Sequence, residues 1–136
     1  MTATLSTETP GRGRLWAGRI VSAAPVLMLL MSASMKLLHR PEVVQGMVQK
    51  GGFPESTITP IGLTELLCTV LYLLPWTRVL GAVLLTGYLG GAVATHVHGG
   101  EAFFSPILVG VLLWLGLYLR DPRLGALLPL RPAARV

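Results

Sequence analysis

The chain has 136 residues, of which 52% are hydrophobic and only 12% are charged. A soluble domain carries about 25% charged residues, and a domain this small buries only ~60–70% of the surface of its unfolded chain. The composition therefore argues against a soluble enzyme, a disordered chain and a disulfide-stapled secreted module. The net charge of +5 does not indicate nucleic-acid binding, because the charges are spaced between long apolar runs.

Four apolar stretches follow a Thr/Ser-rich N-terminal segment. Each approaches or exceeds the ~17–20 residues that a helix needs to cross the hydrocarbon core. They lack strand-like alternation, so helices are the form that satisfies their backbone in lipid. We predict spans at residues 15–38, 58–76, 79–98 and 103–119.

The connections favour one compact membrane domain over residues 15–128. The turns after the second and third spans are short, which makes neighbouring helices antiparallel. The sequence therefore predicts an all-α fold, a membrane four-helix up-down bundle. Residues 1–14 and 129–136 are expected to be disordered tails, since the first is rich in Thr, Ser, Pro and Gly.

The first span and the loop after it allow further predictions. The small residues Ser32-Ala33-Ser34 resemble a signal-peptide cleavage site, but the apolar run continues past them, so a span is the favoured interpretation. The long connection runs from His39 to Thr57. Pro41 suits the first position of a short helix over residues 42–49.

Basic residues indicate the orientation of the bundle, because cytoplasmic loops carry an excess of Lys and Arg. The N-terminal flank, the 76–78 turn and the C-terminal tail together hold eight of the basic residues, and the other side holds three. We therefore expect both termini to be cytoplasmic. The net charge is then largely a topology signal.

Three ionisable residues within or beside the spans are candidates for a functional site. Lys36 and His96 lie near the outer ends of their predicted helices, and Glu65 lies about two turns in from the outer start of its helix, so all three are expected at a similar outer depth. Charges inside a membrane are expensive and mark a pair, a pathway or a site. Glu65 paired with Lys36 or His96 would fix helix register. Alternatively, the three residues are catalytic candidates in an outward-facing polar pocket, where Glu65 and His96 exchange protons or hold a ligand.

Metal and cofactor signals are weak. His96, His98 and Glu101 have suitable ligand chemistry, but their spacing matches no strong metal motif, so no metal is predicted. The single Cys68 excludes an iron–sulfur site within one chain. No flavin or haem motif is present, and His39, His96 and His98 all lie near one edge. A quinone remains compatible with the sequence.

The third span carries a G-x-x-x-G face at Gly87 and Gly91. Small residues allow helix backbones to approach closely in lipid. Packing inside the bundle is the favoured interpretation, because one chain already supplies partner helices. A homodimer through the Gly87/Gly91 face is the alternative.

Several segments of the sequence resemble the DoxX-like membrane proteins over roughly residues 20 to 130. They are Ser34-Met35-Lys36-Leu37, Gly62-Leu63-Thr64-Glu65-Leu66-Leu67, the run from Leu85 to His96, and the run from Leu113 to Arg123. The third-span run is the most specific of these. The chain departs from a glycine-rich form of the family at Ser32-Ala33-Ser34.

The resemblance implies a four-helix integral membrane protein of the bacterial inner membrane. The wider family takes its name from a small subunit of a thiosulfate–quinone oxidoreductase, and other members are associated with oxidoreductase systems. The leading hypothesis is therefore a membrane subunit or accessory of a quinone-linked redox system, acting with a redox partner protein. It implies no catalytic residue.

Two other functions stay open. The protein is a stand-alone membrane isomerase or hydrolase if Glu65 and His96 act as acid and base on a lipophilic molecule. It is a structural or transport-related bundle if the Glu65–Lys36 pair serves only register. Whether it is an enzyme is left undecided by the sequence.

Overall fold

The computed structural model describes residues 9–127, and within that range the chain is helical without any strand. The helices follow in this order: α1 Arg12–Leu37, α2 Pro41–Val44, a π-helix Gln45–Lys50, a 3-10 turn Glu55–Thr57, α3 Ile58–Leu73, α4 Arg78–His98, α5 Phe104–Arg120 and α6 Leu124–Leu127. The four long helices α1, α3, α4 and α5 form the bundle.

The long helices close a ring in which α1 contacts α3, α3 contacts α4, α4 contacts α5, and α5 returns to α1. The connections after α3 and α4, residues 74–77 and 99–103, are too short for anything but adjacent antiparallel helices. The predicted all-α four-helix bundle is confirmed.

Two predicted boundaries need correction. The helix α1 begins at Arg12, so residues 12–14 are helical and do not belong to a tail. The helix α3 ends at Leu73, because Leu74 precedes Pro75 and adopts an extended conformation with ψ of 132°. Residues 9–11 of the predicted N-terminal tail have no regular secondary structure, and the remaining predicted tail residues, 1–8 and 129–136, lie outside the described residues.

The outer surface of the bundle is apolar, as a lipid environment requires. Ile20, Leu27 and Met31 on α1 each expose more than 60% of their surface, and Leu67 on α3 is similar. Polar side chains are instead found inside, where Ser22, Glu65 and Thr69 are buried. This inside-out pattern is typical of helices packed within a bilayer.

Three helical segments have the length and hydropathy to span a membrane: Arg12–Leu37, Glu55–Leu73 and Arg78–His98. The helix α5 is apolar but has 17 residues, which is at the lower limit for a span. The chain is therefore a multi-pass membrane protein.

Glycines allow close contacts between the helices, but the glycines at these contacts are not the predicted Gly87 and Gly91. A Cβ at Gly81 would overlap the backbone of Tyr72 on α3, and a Cβ at Gly116 would overlap Ser22 on α1. By contrast, a Cβ at Gly87 or Gly91 would meet nothing within 4 Å. The favoured prediction that Gly87 and Gly91 pack inside the bundle is wrong, because that face of α4 is open.

The segment from residue 41 to residue 53, which we call the cap segment, covers one end of the bundle. Pro41 starts its short helix as predicted, and the chain then widens into the π-helix. Such helices are rare and occur frequently at functional sites. Gly52 follows in a left-handed conformation, with φ of 70°, and turns the chain towards α3.

Candidate functional site

A buried ion pair joins α1 to α3 at the end of the bundle beneath the cap segment, which we call the cavity end. Lys36 Nζ lies 2.9 Å from Glu65 Oε2. Lys36 also donates to Ser32 Oγ at 2.6 Å, and Ser32 donates to Glu65 Oε2 at 3.3 Å. The side chain of Glu65 is 2% exposed and that of Lys36 is 14% exposed. Of the two partners considered for Glu65, the structure gives it Lys36.

The local sequence explains this triad. Ser32 and Lys36 are four residues apart, so they share one face of α1. On α3, the face containing Glu65 includes Gly62, and a Cβ there would come within 2.9 Å of Lys36 Cβ. The missing side chain at Gly62 allows the two helices to approach where the ion pair forms. Ser32 was not recognised as part of the site, although it lies in the segment where the sequence departs from the glycine-rich family form.

A cavity of about 720 Å³ opens beside the ion pair. Its volume falls in the range of small-molecule sites, ~300–1,000 Å³. Its lining is mainly apolar or glycine, with Met47 and Phe53 from the cap segment, Ile61 from α3, and Gly91 from α4. Of the three residues of the triad, Lys36 lines the cavity.

The α4 wall of the cavity contributes two further polar side chains. Tyr88 lines the cavity. His96 also lines the cavity, and its Nδ1 lies 2.8 Å from the carbonyl oxygen of Ala92. No hydrogen bond or ion pair between Glu65 and His96 is found in residues 9–127, so the acid–base pair considered from the sequence is not assembled directly.

The candidate metal ligands His96, His98 and Glu101 all line the cavity but do not form a ligand set. Within the described part of the chain, no group of three His, Cys, Asp or Glu side chains is arranged to hold a metal ion. Glu101 is instead 3.4 Å from Lys50 Nζ, an exposed ion pair that ties the cap segment to the α4–α5 connection.

A second polar network lies at the opposite end of the bundle, which we call the arginine end, and sequence reasoning missed it. The fully buried Tyr72 donates to the carbonyl oxygen of Leu113 at 2.7 Å. Its hydroxyl is also 3.0 Å from Ser22 Oγ and accepts a hydrogen bond from Arg120 at 3.0 Å. Arg120 was treated only as a marker of topology. The signal in the sequence is that Tyr72 and Arg120 lie at the C-terminal ends of α3 and α5, which an up-down bundle places at the same side.

The two ends differ strongly in charge. Between residues 9 and 127, the arginine end contains six arginines and one carboxylate, Asp121. The arginines are Arg12, Arg14, Arg19, Arg78, Arg120 and Arg123. The cavity end contains three Lys or Arg residues and four glutamates, and the ion pairs of the described residues are all found there.

A smaller cavity of about 450 Å³ lies between α4 and α5. Gly90 and Gly110 leave this space open, and the remaining wall is almost wholly apolar. The two polar side chains in the lining bond to each other, with Trp114 Nε1 donating to Thr86 Oγ1 at 2.8 Å. This groove has no ionisable side chain in its lining.

Fold and site thus define a multi-pass helical membrane protein with a polar, cavity-lining cluster at one end. Residues 20–118 match the DoxX-like family, so the chain belongs to that family. No curated protein and no solved structure matches the chain at the significance required. The family assignment agrees with the resemblance seen in the sequence.

Proposed function

We propose that the protein binds a quinone in the cavity beside Lys36 and serves as a membrane subunit or accessory of a quinone-linked redox system. The observation that carries this proposal is the form of the cavity, which has an apolar wall and ends on a buried, hydrogen-bonded ion pair. A quinone has a matching form, with an apolar tail and carbonyl acceptors on its headgroup.

The chemistry of Lys36 supports a carbonyl-bearing ligand. Its ammonium is paired with Glu65, so the pair is neutral overall and suits a neutral acceptor. Its position in the cavity wall leaves an N–H donor near the ligand space. The sequence contains no haem, flavin or iron–sulfur motif, and the proposal therefore assigns electron transfer to the quinone and a partner protein.

The other two functions have less support. An isomerase or hydrolase would use Glu65 with His96, yet their hydrogen-bond partners are Lys36, Ser32 and the Ala92 carbonyl. A purely structural role fits the closed Lys36–Ser32–Glu65 triad. It does not account for the cavity and the π-helix next to that triad.

Purification of the full chain in mild detergent, followed by mass spectrometry of bound lipids and proteins, tests the proposal. We expect a quinone, and a redox protein in gentle preparations. Absence of any quinone, flavin or redox partner would overturn it.

Two glycines on α4 offer a matched control. Both Gly87 and Gly91 accept a side chain without a clash, but only Gly91 lines the cavity. Gly91→Leu should weaken binding of an added decyl-benzoquinone roughly tenfold, about 1.4 kcal/mol, because the leucine occupies the ligand space. Gly87→Leu should leave binding unchanged. Equal effects of the two substitutions on quinone binding would show that the quinone does not bind in this cavity.

We also propose that the arginine end is cytoplasmic and that the protein resides in the bacterial inner membrane. The support is the excess of arginine at that end, which matches the positive-inside rule. Single cysteines placed at Gln49 and Arg123 in a Cys68→Ala background can be probed with a membrane-impermeant maleimide in intact cells. Labelling at residue 49 alone is expected, and labelling at residue 123 alone would reverse the orientation.

A further inference from the structure

We propose that Lys36 and His96 make the cavity selective for the reduced, hydroquinone form of its ligand over the oxidised quinone. This inference rests on the quinone-binding function proposed above. It adds a preferred redox state and a residue, His96, that determines it.

Lys36 provides a hydrogen-bond donor. A lysine ammonium has three N–H groups. Two of them donate to Ser32 Oγ at 2.6 Å and to Glu65 Oε2 at 2.9 Å. The described residues give the third N–H no partner, and Lys36 lines the cavity. Both redox forms of the ligand carry oxygen lone pairs that can accept from this donor.

His96 provides an acceptor. Its Nδ1 lies 2.8 Å from the carbonyl oxygen of Ala92, and a carbonyl can only accept. In the neutral ring the proton is therefore on Nδ1, which leaves Nε2 with its lone pair. His96 is half-buried and lines the same cavity as Lys36. A ligand next to Nε2 must offer a donor if that lone pair is to stay satisfied.

The two redox forms differ in this donor. A hydroquinone has two O–H groups, so it can donate to His96 Nε2 and accept from Lys36. A quinone has only acceptors, so its carbonyl would face the Nε2 lone pair without a hydrogen bond. Leaving a desolvated acceptor without a partner costs free energy, and this cost falls on the quinone alone. The cavity should therefore hold the hydroquinone more tightly.

Binding of decyl-benzoquinone and decyl-hydroquinone to the full-length protein tests this selectivity. Affinities are measured by native mass spectrometry under anaerobic conditions. The wild-type protein should bind the hydroquinone roughly fivefold more tightly, as expected for one net hydrogen bond. His96→Leu should lower hydroquinone affinity by about the same factor, because the O–H loses its acceptor, and should not weaken quinone binding, because the unpaired Nε2 lone pair is removed as well. His96→Gln should restore part of the preference, because its amide oxygen is an acceptor near the position of Nε2.

Quinone affinity in His96→Leu is the control for folding. Equal binding of both forms by the wild-type protein would overturn the selectivity and leave the quinone-binding function standing. Loss of both affinities in His96→Leu, with no recovery in His96→Gln, would also overturn it. Failure of the wild-type protein to bind either form would overturn the proposed function together with the inference.

Discussion

The cavity end and the arginine end both place polar side chains between helices, but they satisfy them differently. At the arginine end, Tyr72 is fully buried, and its hydroxyl is bonded to Ser22, Arg120 and the Leu113 carbonyl. At the cavity end, Lys36 completes an ion pair with Glu65 and still faces an open cavity. Polar side chains between the helices are therefore enclosed by close packing at one end and border a cavity at the other.

Helix packing accounts for the difference. At the arginine end, Gly18 and Gly116 bring α1 and α5 so close that added side chains would overlap the neighbouring helix. At the cavity end, the chain instead inserts the cap segment with its π-helix and left-handed Gly52. Close packing excludes a ligand from the first region, whereas the cap segment leaves space for one in the second.

The largest effect should come from unpairing Glu65. Lys36→Met leaves a 2% exposed carboxylate without its cation, and removing one partner of a buried pair costs ~3–5 kcal/mol. Glu65→Gln should cost less, because Lys36 is 14% exposed. The double variant Lys36→Met/Glu65→Gln removes both charges and should therefore recover most of the stability lost by Lys36→Met. Thermal unfolding in detergent measures this recovery. A Lys36→Met protein as stable as the wild type would contradict the ion pair.

Close packing at the arginine end can be broken at Gly81. Gly81→Ala places a Cβ against the backbone of Tyr72, and overpacking of this kind costs about 2–3 kcal/mol. Gly87→Ala on the same helix meets nothing within 4 Å and should be neutral or stabilising. Chemical unfolding in detergent compares the two. Equal stability of the two variants would argue against the α3–α4 contact.

Tyr72→Phe sharpens the contrast between the two ends. It removes the hydroxyl and leaves the Leu113 carbonyl and Arg120 short of a partner, at a cost of about 1–2 kcal/mol. Binding of decyl-benzoquinone should not change, because Tyr72 lies outside the cavity. Weakened quinone binding in a folded Tyr72→Phe protein would show that the two ends are not independent.

The smallest effect is expected at the ion pair between Lys50 and Glu101. Both side chains are about half-exposed, and such pairs contribute only ~0.2–1 kcal/mol. Glu101→Gln should therefore barely change the unfolding temperature, and the small difference should vanish at high salt. A large loss of stability would mean that the cap segment depends on this pair far more than its exposure indicates.

The sequence predicts the bundle well because hydropathy alone marks its long helices. The predicted end of the second span at residue 76 is wrong, because Leu74 precedes Pro75, adopts an extended conformation and ends α3 at Leu73. The G-x-x-x-G pattern pointed to Gly87 and Gly91, while the close contacts use Gly18, Gly81 and Gly116. Whether a glycine lies at a helix–helix contact depends on the rotation of its helix about the helix axis. A single sequence does not give that rotation.

The candidate site was predictable only in part. Glu65 stands out because it is the one carboxylate inside a predicted span. The sequence does not decide whether Lys36 or His96 pairs with Glu65, because both lie at a similar depth in the membrane. The choice depends on how each helix is rotated about its own axis. Ser32 stood out only within Ser32-Ala33-Ser34, as part of a cleavage-like pattern and of a departure from the family's glycine-rich form, and neither pattern indicates a hydrogen bond to Glu65. The sequence does not predict the Tyr72–Arg120 contact, because the positive-inside rule already explains an arginine at a helix end.

Photolabelling with an azido-quinone, followed by peptide mapping, tests most directly the claim that the cavity end is the ligand site. We predict that the label attaches to residues 88–98 of α4 or to the cap segment, that Gly91→Leu removes it, and that Gly87→Leu does not. Label confined to the arginine end, or to the α4–α5 groove at Gly90 and Gly110, would contradict the account.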